Sequence, residues 1–111
     1  MIQNIEKLMT IYPTKYVRWD IDTSNTSEQK FSDFLRNNYN VDKIYAITSI
    51  HVADFGGGLG ELKLVFVDGK TGDDLSKQVG AGDTINALAK DILVTGSGTS
   101  GTAILIVFGI W

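Results

Sequence analysis

The chain closes on TAILIVFGIW, Thr102 to Trp111, and this stretch constrains the fold more than any other. Successive side chains of a strand point to opposite faces. Ile104, Ile106, Phe108 and Ile110 therefore share one face, and Ala103, Leu105, Val107 and Trp111 share the other. Both faces are apolar. A strand in one layer of a two-layer monomer normally turns a polar face to water, so this one needs cover on both sides. Its nine-residue apolar run is far short of the roughly 20 residues that a membrane-spanning helix requires, which leaves protein as the cover: a helix of the same chain, or another subunit.

Upstream, Lys15 to Asp22 alternates strictly, with Val17, Trp19 and Ile21 on one face against Tyr16, Arg18, Asp20 and Asp22, the pattern of a half-buried strand. Thr26 followed three residues later by Gln29 has the form of a capping box. Phe31, Phe34, Leu35 and Tyr39 then recur at the spacing of one helical face, which predicts a short helix near 27–38. Residues 1–13 carry apolar side chains at roughly helical spacing up to Pro13 and are expected to form an N-terminal arm or short helix. Lys43 to Asp54 alternates Ile44, Ala46, Ile50 and Val52 against Tyr45, Ile47, Ser49 and His51; after a glycine break, Glu61 to Asp68 points Leu62, Leu64 and Phe66 inward. A short strand is expected around Leu75 to Val79, a possible second helix at INALAKD, and strands at Asp91 to Thr95 and Thr102 to Trp111. Short strands separated by Gly/Asp turns predict a mostly β fold, an antiparallel sandwich, with α+β as the alternative because of the helix. Residues 14–111 read as one domain. The expected core comprises Val17, Trp19, Ile44, Ile50, Leu62, Leu64, Phe66, Ile92, Val94, Ile104 and Ile106. The opposite face of the last strand, together with Val65 and Val67, then becomes a subunit interface of Val65, Val67, Leu105, Val107 and Trp111.

Composition removes several chemistries. The 111 residues contain no cysteine, which excludes disulfides, thiolate metal sites and a cysteine nucleophile. Ten Lys and Arg against 13 Asp and Glu give a net charge of −3 with no basic stripe, so nucleic acid is not an expected partner. The opening residues lack the basic start and continuous apolar core of a secretory signal, and no membrane association is expected.

The motifs that resemble chemical sites fail on context. Gly96-Ser97-Gly98-Thr99-Ser100-Gly101 fits G-x-G-x-x-G, but that fingerprint needs a following helix, and a β-branched, aromatic strand follows here. Gly69-Lys70-Thr71 lacks the glycine that would open a phosphate loop. Asp68, Asp73 and Asp74 share one loop without the ligand spacing of a calcium site. His51 is the only histidine, beside Ser49 on one strand face and without a G-x-S-x-G elbow. No nucleophile, base and oxyanion donor come together, so no catalytic residue, metal ligand or cofactor is assigned. Tyr12, Tyr16, Trp19 and Tyr39 offer flat rings on which a sugar could stack, although Trp19 alternates with Val17 and Ile21 as a core residue does.

From about Ile44 onward, ITSIHVADFGGGLGELKLVFVDGKTGDDL and then GAGDTINALAKDILVTGSGTSGTAILIVFGIW resemble small jelly-roll modules of bacteriophage virion proteins: head fibres, decoration proteins and tail-fibre tips. In these, a strand of the ITSI type leads through a glycine loop to a strand ending in a D-G turn, and the chain closes on two strands joined by a Gly/Ser turn. The resemblance implies a jelly-roll sandwich and a non-enzymatic virion component, made in the host cytoplasm. Such a component is commonly trimeric and assembles with other virion proteins. Engagement of host-surface carbohydrate is a further role of such modules. A carbohydrate-binding β-sandwich is the alternative function.

Overall fold

A computed structural model describes residues 14–111; the arm or helix expected over residues 1–13 lies outside them. The chain is mostly β and its strands are antiparallel, with one short helix. The elements are β1 (Lys15–Asp22), β2 (Gln29–Lys30), α1 (Phe31–Tyr39), β3 (Ala46–Asp54), β4 (Leu59–Phe66), β5 (Thr84–Gly96) and β6 (Thr102–Ile110).

All six strands belong to one curled sheet in which β1, β6, β3 and β5 follow one another. Ala89 of β5 is partnered by Ile47 of β3 and by Phe66 of β4, so β3 and β4 flank β5 on opposite margins. Towards its end, β5 carries the two residues of β2 opposite Leu93 and Val94. Helix α1 follows β2 directly and places Phe31 and Leu35, both fully buried, among the inward side chains of the sheet. Those include Trp19, Val52, Leu62, Ile92, Leu105 and Val107. The Trp19 ring lies 5.4 Å from Phe31, and Trp111 meets Phe31 edge-on at 5.8 Å.

The two faces of β6 are exchanged relative to expectation. Leu105 and Val107, expected at a subunit interface, are fully buried within the single chain, whereas Ile104 and Ile106, expected in the core, are half-buried on the outer face. The cause is the register with β1: Val17 pairs with Val107, Trp19 with Leu105 and Ile21 with Ala103. Paired residues share a face, so the strict alternation of β1 decides which side of β6 is inside. The curl of the sheet encloses that side, and Phe31 and Leu35 of α1 join Leu105 and Val107 in the same buried cluster. Trp111 is likewise half-buried against Phe31, on the inner side.

Other expectations shift for tertiary reasons. The helix begins at Phe31, because Gln29 is drawn into β2 opposite Val94 and is not available to close a capping box. Lys30 stands at the N-cap with no side-chain cap; Asp91 of β5 accepts hydrogen bonds from the Ser32 N–H (2.9 Å) and the Ser32 hydroxyl (2.6 Å). INALAKD is the first half of β5, paired with β3, and 75–79 is a turn. A register shift between Ile47 and Ser49 brings Ile47 inward alongside Ile50. Ile44 packs at the core margin, and Phe66 is 37% exposed at the end of β4.

Candidate functional site

The glycine-rich segments form a scaffold around Thr23, which is fully buried. Its hydroxyl donates to the Thr99 carbonyl (2.8 Å) and accepts from the Gly57 N–H (3.0 Å), while its backbone N–H bonds Gly101 and its carbonyl accepts from Gly98. The β1–β2 connection, the DFGGG turn and the GSGTSG turn are thereby tied together at one end of the sheet. A Cβ on Gly57 would collide with the Thr99 carbonyl and one on Gly96 with the Thr23 carbonyl, so these glycines are required by backbone approaching backbone.

The acidic loop is also internal wiring. Asp74 Oδ1 accepts from the backbone N–H groups of Leu62 (2.9 Å) and Ser76 (2.8 Å), and Oδ2 accepts from the Ser76 hydroxyl (2.9 Å). Desolvation pushes the Asp74 carboxyl up, but the Ser76 and Leu62 N–H groups, the Ser76 hydroxyl and the Lys77 charge outweigh it and hold the carboxyl below its ordinary range. Asp68 caps its own turn through the Lys70 N–H (2.9 Å). Among the described residues no three His, Asp or Glu side chains converge as metal ligands.

His51 meets Thr84 across the β3–β5 pairing, Nδ1 to Oγ1 at 3.0 Å, and not Ser49. Its other ring nitrogen has no carboxylate partner among the described residues, and Thr84 is exposed at the first position of β5. The expected aromatic platform is dispersed. Trp19 is 3% exposed, Tyr39 packs edge-on against Phe34 at 5.8 Å, Tyr16 lies on the outer face, and Tyr12 falls outside the described residues.

The outer face of β6 and β1 carries an apolar strip. Ile104, Ile106 and Phe108 of β6 are half-buried there, and the 70%-exposed Tyr16 ring of β1 lies 5.6 Å from Phe108. Ser49 and His51 of β3 border the strip on one side, opposite Phe108 and Ile106. Arg18 and Asp20, ion-paired at 2.7 Å, border it on the other. Among the described residues β1 is the sheet's terminal strand. Of the residues expected at an interface, Val65 is half-buried at the margin of β4 and Val67 is 39% exposed just beyond it, separate from the β6 strip. Comparison with known proteins returns no matching family model, no matching curated protein and no matching solved structure.

Proposed function

We propose that this chain is a non-enzymatic structural module that acts by protein–protein assembly, a bacteriophage virion component of the head-fibre, decoration or fibre-tip type that associates with its own copies. The apolar outer strip of Ile104, Ile106 and Phe108, extended by Tyr16 at the sheet edge, is the observation that carries this reading. Burying a large apolar side chain is worth about 1.5–3 kcal/mol, so four such groups gathered on one face of a small domain favour a partner surface. The Arg18–Asp20 pair beside the strip gives a second copy complementary charges to meet. The virion assignment and the trimeric state draw on the resemblance of residues 44–111.

Light scattering of the purified chain at micromolar concentration tests the proposal. A multiple of the 12.1 kDa chain mass is expected, three by the resemblance. Phe108→Asp and Ile106→Asp should each reduce it to a folded single subunit. A wild-type monomer across this range, or oligomers indifferent to both substitutions, overturns the assembly reading.

A further inference from the structure

The two margins of the sheet are finished differently. Along β4 the chain closes its own edge: the Leu75 N–H bonds the Leu62 carbonyl, the Gly72 N–H the Leu64 carbonyl and the Phe66 N–H the Lys70 carbonyl, each at 2.8 Å. Strand β1, terminal at the other margin, has no such cover among the described residues. The Thr23 N–H bonds Gly101 in the register that β1 shares with β6. Backbone groups of an antiparallel strand alternate between its two sides, so Lys15, Val17, Trp19 and Ile21 turn theirs to β6. Tyr16, Arg18 and Asp20 turn theirs to the open edge; the Asp22 carbonyl is already taken by the Asn25 N–H at 3.1 Å. An uncovered edge of this kind is a template for another strand.

What the edge accepts follows from its side chains. Val17, Trp19 and Ile21 are buried on the inner face, whereas Tyr16, Arg18, Asp20 and Asp22 are exposed on the outer one. A strand that joins the ladder with its own apolar side chains inward must place outward residues opposite outward residues. For a second β1 running antiparallel, centring on Arg18 sets that residue opposite itself, and centring on Asp20 does the same with carboxylates. Like charges directly opposite are destabilising. Centring on Trp19 instead sets Arg18 opposite the partner's Asp20, Asp20 opposite the partner's Arg18 and Val17 opposite the partner's Ile21. Each strand already holds its own Arg18–Asp20 pair at 2.7 Å, so the two pairs meet as a ring of alternating charge. In this register the edge is complementary to itself.

We propose that two copies of this chain pair through an antiparallel ladder of their β1 edges centred on Trp19, which makes their sheets continuous. The contact is two-fold and doubles whatever unit the outer face of β6 closes. It rests on the assembly reading and names how assembled copies meet. A ladder this short is marginal by itself in water, so the apolar strip that it adjoins at Tyr16 remains the main source of affinity.

Amide hydrogen exchange of the ¹⁵N-labelled full chain, read by NMR at about 0.1 mM, tests the ladder, because an amide that enters one becomes protected. In the wild type the Tyr16, Arg18 and Asp20 amides should exchange about tenfold or more slowly than in the Phe108→Asp single subunit. Arg18→Asp and Asp20→Arg, both at exposed positions, should each lose that protection by setting like charges opposite, while light scattering still shows more than a single chain. An equimolar mixture of these two variants should regain it, since each then meets its complement. Fast exchange at the three amides in an assembled wild type overturns the ladder and leaves the assembly reading standing. The same holds if Phe108→Asp protects them equally, which would mean that the chain's own residues cover the edge, or if the mixture stays unprotected. A wild-type monomer overturns both.

Discussion

Thr23 shows how one short polar side chain can govern the loops of a small β protein. The sequence offers it only as a residue following a strand. In the fold it serves Thr99 and Gly57 at once, residues separated from it by 76 and 34 positions. Thr23→Val keeps the shape but removes the hydroxyl's bonds to the Thr99 carbonyl and the Gly57 N–H, and should lower unfolding free energy by about 1–3 kcal/mol in urea titrations. Asp74 plays a similar part for β4 through the Leu62 N–H. Because its folded pKa lies below the ordinary carboxylate value of about 3.9, its contribution is fully present above that value and is lost as pH falls through the folded pKa. Asp74→Ala should therefore be less stable than the parent at pH 7, and the gap should narrow as acid unfolding is followed below about pH 4.

At the scale of elements, β1 and α1 were legible because each repeats its period cleanly, two for Val17, Trp19 and Ile21 and 3.6 for Phe31, Phe34 and Leu35. Only the start of α1 escaped, since its N-terminal acceptor comes from Asp91, 59 residues away. Asp91→Ala should cost about 0.5–2 kcal/mol, the range of a lost N-cap. Fraying confined to the first turn of α1, visible in amide hydrogen exchange, should accompany it. Uniformly increased exchange across the whole sheet would show that Asp91 acts elsewhere. The other end of the helix is local: Asn40 takes the left-handed conformation at φ 56°, and the Val41 N–H reaches back to the Leu35 carbonyl at 3.3 Å. Strand β5 was misjudged because INALAKD has no strong period, and pairing with β3, through a register shift, makes it a strand. Local preference is weak there and the ladder decides.

For the whole molecule, the decisive question was which face of β6 is inside, and substitution distinguishes the two. Val107→Asp, at a fully buried position, introduces an unpaired charge into the core and should abolish cooperative folding as followed by far-UV circular dichroism. Phe108→Asp, one residue on and on the opposite face, should leave the fold cooperative. The reverse pattern would mean that the sheet is turned over. The sequence by itself determined the mostly β class, the helix, the inward face of β1 and the apolar character of both faces of the last strand, since each follows from a short-range period or from the composition of an apolar run. Tertiary structure alone decided the face of β6, the acceptor of the helix and the convergence of three loops on Thr23. The physical reason is common to all three. Each depends on strand register or on backbone approach between distant segments, and a strand that is apolar on both faces carries no local signal of which side its neighbours will choose.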